Sequence, residues 1–380
     1  MPFIEELKYK SPFFGNGFLE TVIPYLVTEY RNINYFRESI TTSDKDVLDL
    51  DWSFSQDFGK SSFLEQEMNK IDQNIKKQIN SIFQPDFTQI PQQIDSPKST
   101  NSKLIIITHG MFASSRGVHI RKHTSTFNQE GFDVLVWHQR GCSDQTNLKE
   151  FIYHPGMTQD LDRVVDFVSQ KKPEYKEIYL FGVSLGGNLN LKYLGEKGFS
   201  LNPKIKKAFN LSAPLNLDES SKLNNTWIGK ITEKYILSSL KKVLERKKQQ
   251  TPQNYVFYEA EKLKKVREFD EKFSVPMHGF RSIEAFYKEN SSINFLKNIK
   301  IPTFLLSSLN DYILGPSSYP VEFAKNSSNI FLSTPEFGGH SGFPTLKRSN
   351  KLWHEEVALA FFDEIFGDFE NTFENINARN

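Results

Sequence analysis

The residue set in this chain best suited to chemistry is a serine between two glycines, Gly182-Val183-Ser184-Leu185-Gly186. The pattern G-x-S-x-G marks a turn so sharp that a side chain at either glycine would strike backbone, which leaves the serine raised between a strand and a helix. There the helix N-terminus favours a developing oxyanion. A serine hydroxyl is a poor nucleophile until a base takes its proton, and around such turns the partners follow in the order serine, acid, histidine. His340 fits that order within Gly338-Gly339-His340-Ser341-Gly342, whose glycines give a tight loop able to point an imidazole inward. His119, His123, His138, His154 and His278 come too early, His354 falls in a helical stretch, and His109 belongs to another loop. The acid that orients the imidazole is expected at Asp311, in Ser307-Ser308-Leu309-Asn310-Asp311, with Glu336 in reserve. Two backbone N–H groups must receive the oxyanion. Leu185, next to the serine, supplies one. Met111, in Thr108-His109-Gly110-Met111-Phe112, supplies the other, with Gly110 allowing the close turn.

Strands and helices must hold these residues in place. Leu104-Ile105-Ile106-Ile107, Val134 to Trp137, Ile178 to Phe181, Ala208 to Leu211, Thr303 to Leu306 and Ile330 to Leu332 are short, nearly wholly apolar runs. Such runs fit strands buried on both faces. Helical stretches lie between several of them, at Val118 to Gln129, Met157 to Gln170 and Leu185 to Glu196, and another follows at Lys351 to Phe366. That alternation predicts an α/β fold, a mostly parallel sheet flanked by helices. Upstream, two strands are expected between Asn34 and Trp52 around a turn at Thr42 to Asp46. A polar stretch over about 53–102 then reads as an insertion, helical near Phe63 to Phe83 and a surface loop from Pro91. From Pro214 to Ile301 the pattern is helical without a good strand. Trp227, Ile231, Tyr235, Ile236, Leu240 and Val243 share one broad face, with Lys230, Lys234 and Lys241 on the other. An excursion of that size reads as a cap over the sheet edge where open α/β sheets bind ligands. The expected division is therefore a core of 1–214 and 301–370, a helical cap of 215–300 before the next-to-last core strand, and a flexible tail of 371–380.

Bulk composition narrows the function classes. A net charge of +1 over 380 residues argues against a nucleic-acid binder. Phe is abundant, 34 residues, which suits a large apolar core or pocket. The single cysteine, Cys142, allows no internal disulfide and suits a reducing compartment. The acidic start Glu5-Glu6 does not resemble a secretory leader, and no run of about 18 uncharged apolar residues suggests a membrane span. A cytoplasmic location is expected, with peripheral membrane contact an alternative. The histidines show no metal-binding spacing, and no phosphate loop or dinucleotide fingerprint occurs, so neither metal nor cofactor is expected.

Motifs across most of the chain resemble the YheT-like branch of the α/β hydrolases. That branch includes bacterial predicted esterases, lung-type α/β-hydrolase proteins and yeast medium-chain ethyl-ester synthase/esterases. The resemblance is carried by Phe14 to Thr21, His109-Gly110, Arg140-Gly141-Cys142-Ser143, and Ile152-Tyr153-His154-Pro155-Gly156 with Asp160. Also close are Gly182 to Asn188, Leu211-Ser212-Ala213-Pro214, Arg267-Glu268-Phe269-Asp270, His278-Gly279-Phe280 and Gly338 to Phe343. It implies an α/β-hydrolase fold and an esterase-type triad of Ser184, Asp311 and His340. The stretch from about Phe54 to Ser102 is longer than the family's usual connection. Cys142 lacks an elbow context and reads as a structural thiol. His154 and Asp160 are one residue too far apart for an acyltransferase H-x4-D box, and His154 reads as part of a turn.

The expected function is hydrolysis of short- to medium-chain carboxylic esters through an acyl-enzyme on Ser184. Transfer of the acyl group to an alcohol, or acylglycerol lipase action at a membrane surface, are the alternatives; a non-catalytic binding protein requires a broken triad. A small-molecule or lipid ester is the expected partner. Trp227, Tyr235 and Phe112 are the candidate substrate contacts.

Overall fold

The computed structural model describes residues 4, 7–12, 15–27, 33–57, 92–93, 99–222, 227–250, 262–345 and 351–363. The expected helix at Phe63 to Phe83 and the expected tail at 371–380 lie outside them. Among the described residues nine strands form one sheet: β1 (Phe36–Thr41), β2 (Val47–Ser53), β3 (Gln92–Gln93), β4 (Lys103–Thr108), β5 (Asp133–Trp137), β6 (Glu177–Val183), β7 (Ile205–Leu211), β8 (Thr303–Leu306) and β9 (Ile330–Ser333). Their order is β3-β1-β2-β5-β4-β6-β7-β8-β9. All pairings from β5 to β9 are parallel, and the two made by β2 are antiparallel.

The apolar runs are buried on both sides, with a period of two. On β4, Leu104 and Ile106 enter one core while Ile105 and Ile107 enter the other. Val134 and Val136 face away from Leu135 and Trp137, and Tyr179 and Phe181 away from Ile178 and Leu180. Helices α1 (Gly17–Val27), α2 (Val118–Gln129), α3 (Thr158–Lys171) and α4 (Leu185–Lys197) precede β7 or flank the parallel strands, and the last described helix is Trp353–Asp363. Leu161, Val164, Val165 and Val168 of α3 and Leu189 and Leu194 of α4 fill the first core. Ile120 and Phe127 of α2, with Trp353, Val357 and Phe361, fill the second. Each such side chain contributes roughly 1.5–3 kcal/mol by leaving water. Helix α3 stops where Pro173 follows Lys172, since the residue before proline is driven out of the helical region.

One expected loop carries a strand. Gln92 and Gln93, inside the polar insertion, pair with Phe36 and Arg37 and extend the sheet edge. Two glutamines after a proline have no periodicity by which a strand is read. The β1–β2 hairpin is tied inward by buried charge. Arg37 is bidentate to Asp51 at 2.7 and 2.8 Å. Arg140 reaches Asp160 at 2.8 and 2.7 Å and Asp46 at 3.1 Å. Arg140 thus joins the hairpin turn to α3, a job that accounts for an arginine and an aspartate twenty residues apart. Cys142, beside it, is buried, and burial pushes its thiol well above the usual range.

Between β7 and β8 the described residues form no strand. They form α5 (Leu217–Lys222), α6 (Trp227–Gln250), α7 (Val266–Phe269), a π-helical turn at Asp270–Ser274, α8 (Val275–Met277) and α9 (Ile283–Asn290), followed by two 3-10 turns. The single apolar face expected for α6 is divided. Leu237, Leu240, Val243 and Leu244 are buried in a small core with Phe269 and Phe273. Ile231 is 46% exposed. A 24-residue helix is long enough to pack at one end and border open space at the other.

Candidate active site

Ser184 occupies the single residue between β6 and α4. Its φ of 52° and ψ of −122° put an L-residue in a sparsely populated region. The glycines on either side are sterically required. A Cβ on Gly182 would lie 2.6 Å from Gly187 Cα, and one on Gly186 would lie 2.1 Å from the Thr108 carbonyl oxygen. Gly110 is different: a Cβ there would meet Ser184 Cβ and the Val183 oxygen at 3.4 Å, an ordinary contact. The left-handed residue of that loop is Phe112, at φ 51°.

His340 lies beyond β9 with Nε2 2.9 Å from Ser184 Oγ and Nδ1 2.8 Å from Asp311 Oδ2. The Asp311 side chain is fully shielded and that of His340 is 12% exposed. Asp311 Oδ1 accepts the Ile313 N–H at 2.9 Å. With Nδ1–H donating to Asp311, Nε2 keeps its lone pair for the serine proton. Residues 156 and 29 apart in the chain meet because β6, β8 and β9 end at the same edge of one parallel sheet. Glu336, the reserve acid, is exposed and has no part in this chain of bonds. Burial depresses His109, His119 and His154 to about 3 and His278 to about 4. They stay neutral across the physiological range.

Residues from the far N-terminal part of the chain hold the His340 loop. Thr21 Oγ1 on α1 accepts the His340 N–H at 2.8 Å. Glu20, with no exposed surface, accepts the Gly338 N–H at 2.9 Å and the Asn310 amide at 2.7 Å. Asn310 Oδ1 in turn accepts the Gly339 N–H at 2.9 Å, and Ser308 donates to the Gly339 carbonyl at 2.7 Å. The carboxylate of Glu20 therefore pins the loop of the histidine to the loop of the acid. The stretch Phe14 to Thr21 shows as a family motif, but nothing in its spacing points to a loop more than 300 residues away. Removing Glu20 strands the buried Gly338 N–H, at about 1–3 kcal/mol, and takes one acceptor from the half-buried Asn310 amide, which keeps the Gly15 carbonyl at 3.1 Å. Glu20→Ala is expected to lower kcat about tenfold to a hundredfold and to lower the melting temperature. Ester turnover and thermal unfolding check this, and an unchanged kcat would take Glu20 out of the positioning role.

A cavity of about 290 Å³ opens on Ser184 and His340. Met111 and Leu185 line it, and among the described residues neither main-chain N–H has an acceptor, so both are available to an oxyanion. The Phe112 N–H is not available, since it donates to the Tyr153 hydroxyl at 2.9 Å. Phe112 and Tyr235, two of the expected substrate contacts, line the cavity, together with Ile231 and Ile236 of α6. Trp227 begins α6; its side chain lies outside what is described. One group among the described residues has metal-ligand geometry, His123, His354 and Glu355, all buried. Its glutamate is already engaged by His123 and Thr126 at 2.8 Å and by the Lys122 ammonium at 3.3 Å, and none of the three lines the cavity. An ammonium beside the carboxylate opposes a second cation.

Residues 99–329 match the family model described as serine aminopeptidase, S33. The chain is 25% identical over 390 residues to medium-chain fatty acid ethyl ester synthase/esterase 2 of Saccharomyces cerevisiae, covering 93% of this chain and 84% of the yeast protein. That is a protein of the kind the motif resemblance names. It is 29% identical over 286 residues to monoacylglycerol lipase of the same yeast, covering 72% of this chain and 62% of the relative. Among solved structures, an acylaminoacyl peptidase of Pyrococcus horikoshii shares the fold, with a TM-score of 0.53 at 13% identity over 91% of this chain and 44% of that one. Among the described residues no helix is long and apolar enough to cross a membrane.

Proposed function

We propose that this chain, which belongs to the serine aminopeptidase S33 family of α/β hydrolases, cleaves carboxylic esters through an acyl-enzyme on Ser184. The observation that carries the reading is the hydrogen-bonded series Ser184–His340–Asp311 at 2.9 and 2.8 Å, opening into a largely apolar cavity. Ser184 Oγ attacks the ester carbonyl while His340 Nε2 takes its proton. Asp311 stabilises the imidazolium and keeps its tautomer, and the Met111 and Leu185 N–H groups receive the oxyanion. On collapse, His340 returns the proton to the departing alcohol. A water then repeats the sequence in reverse and frees the acid. The family's descriptive name refers to peptides, but both yeast relatives are named for esters, and an apolar cavity suits an acyl chain. Turnover of p-nitrophenyl octanoate, with labelling of Ser184 by a fluorophosphonate, tests the reading. A folded chain that does neither overturns it.

Acyl transfer is the second reading, favoured by a relative named both synthase and esterase. An alcohol takes the place of water at the acyl-enzyme. Adding ethanol to the octanoyl ester reaction and measuring ethyl octanoate against octanoate decides between the two.

The remaining assignments belong to the same proposal. Residues 1–214 and 301–370 make the core and 215–300 the cap, the location is the cytoplasm, and contact with a membrane surface is peripheral where it occurs. The cap end of α6 reads the acyl chain through Tyr235 and Ile236. The cavity sits at the low end of the roughly 300–1,000 Å³ common for ligand sites, which suits short to medium chains. Each buried methylene contributes up to about 0.8 kcal/mol, or roughly fourfold in rate. Tyr235→Ala is expected to reduce the octanoyl-over-acetyl preference in kcat/KM by roughly 4- to 15-fold, the loss of one or two methylene contacts. A chain-length series from acetyl to palmitoyl esters on both proteins checks this, and superimposable profiles would remove Tyr235 from acyl selection.

A further inference from the structure

An apolar acyl pocket has no use for a continuous polar wall, yet this cavity has one. Ser221, Arg267, Asp270, Ser274 and Tyr287 all line the space that holds Ser184. They are bonded to one another. Asp270 accepts the Tyr287 hydroxyl and the Ser274 hydroxyl, each at 2.9 Å. Arg267 donates to Ser221 Oγ at 2.9 Å and to Asp218 at 2.8 Å, and its guanidinium lies 5.1 Å over the Tyr287 ring. Asp270 opens the π-helical turn Asp270–Ser274, and such turns are frequent at functional sites. The wall borders the same cavity as the oxyanion loop, where Met111, Phe112 and Tyr153 also line the space and the Tyr153 hydroxyl holds the Phe112 N–H. Arg267-Glu268-Phe269-Asp270 stands out in the sequence, and the triad chemistry makes no use of it.

A carboxylate in such a place is costly unless it is bonded. Burial raises Asp270 to about 6, against the opposing pull of its two hydroxyl donors and Arg267. An ionised carboxylate offers about four acceptor positions, and Asp270 spends two of them on Tyr287 and Ser274. Each carboxylate oxygen keeps one further acceptor position, and Asp270 lines the cavity. It can accept from hydroxyl groups. It repels phosphate, and Arg267, the cation of this wall, is already committed to Asp218. The wall therefore matches a neutral, hydroxyl-bearing group.

We propose that Asp270, Tyr287, Ser274 and Ser221 form a subsite for the alcohol part of the ester, selecting alcohols that carry further free hydroxyls over simple alkyl alcohols. This rests on the esterase reading and names the substrate class of the same site. Asp270 bonds a free hydroxyl of the alcohol moiety, and Tyr287 and Ser274 hold its carboxyl in position.

The test compares monooctanoylglycerol with ethyl octanoate, which share an acyl group, on the full chain and on Asp270→Asn and Tyr287→Phe. The readout is the ratio of kcat/KM for the two esters. The wild type is expected to favour the glycerol ester, and each variant to lower the ratio by about tenfold, the size of one hydrogen bond to a charged group. An unchanged ratio overturns the proposal, including the case in which both rates fall together, which is a loss of structure. Inhibition of ethyl octanoate hydrolysis by 1-O-octylglycerol, against octyl ethyl ether, reads the same preference without cleavage of the glycerol ester. Should Asp270→Asn fail to fold, Tyr287→Phe and this inhibition ratio on the wild type decide. A variant-sensitive preference for lysophospholipid over monooctanoylglycerol also overturns it, because the wall would then read phosphate. Wild-type protein that cleaves neither ester sinks the esterase reading itself. Cleavage of both with no dependence on Asp270 or Tyr287 sinks only the subsite.

Discussion

Ser184→Ala is expected to lower ester turnover by roughly four to six orders of magnitude, the range that loss of the nucleophile produces in a serine hydrolase, while the fold persists. The chemical part of the argument is that no acyl-enzyme forms without Oγ. What turnover remains comes from the oxyanion groups and substrate binding. The structural part is that the Ser184 side chain makes one bond, to His340 at 2.9 Å. Its hydroxyl faces the cavity and carries no core packing. Alanine inherits the same left-handed φ of 52° at a similar cost, so the strained turn is neither relieved nor worsened. Melting temperature and far-UV dichroism should therefore stay close to wild type while fluorophosphonate labelling disappears. Cleavage of p-nitrophenyl octanoate at wild-type rate by the purified variant would take the nucleophile's role away from Ser184.

The parts of this molecule that can be read in its sequence are those with local causes. Leu104 to Ile107 is a strand because four apolar, mostly β-branched residues in a row suit a sheet buried on both faces, and both cores receive them alternately. Gly182 and Gly186 announce their turn because no other residue avoids the Gly187 and Thr108 backbones. The expected order of nucleophile, acid and histidine singles out Asp311 and His340 from the sequence, and the fold brings the two side chains to 2.8 Å. What cannot be read has distant causes. Glu20 is an acid in a short helix, and its purpose lies in Gly338 and Asn310. Arg140 answers to Asp46 and Asp160 on two different elements. The strand at Gln92–Gln93 exists because β1 has an open edge. On α6 the helical period identifies the apolar residues. Which of them pack, as Leu240 and Val243 do, and which border the cavity, as Tyr235 does, depends on neighbours from Phe269 to Phe273.

Asp311→Asn is the second change with a very large expected effect, about ten-thousandfold in kcat, although it alters one atom's chemistry. Asp311 is shielded from solvent and its Oδ2 lies 2.8 Å from His340 Nδ1. As a carboxylate it can only accept, so Nδ1 must carry the proton and Nε2 must present a lone pair to Ser184. An asparagine is nearly isosteric, but one end of its amide donates. Oδ1 of Asp311 already accepts the Ile313 N–H at 2.9 Å. An asparagine that keeps that bond with its oxygen turns its NH2 group toward Nδ1. The imidazole then takes the other tautomer, with the proton on Nε2 facing the serine, and cannot act as base. The imidazolium formed during attack also loses its neighbouring negative charge. Binding of substrate should change little, because neither effect is felt in the ground state, so the loss belongs in kcat rather than KM. The control is Glu336→Gln. Glu336 is exposed and lies only four residues from His340 in sequence, yet it has no bond to the imidazole. Steady-state kinetics on both variants should show collapse for the first and wild-type rates for the second. A collapse at Glu336 with Asp311→Asn still active would reverse the assignment of the acid.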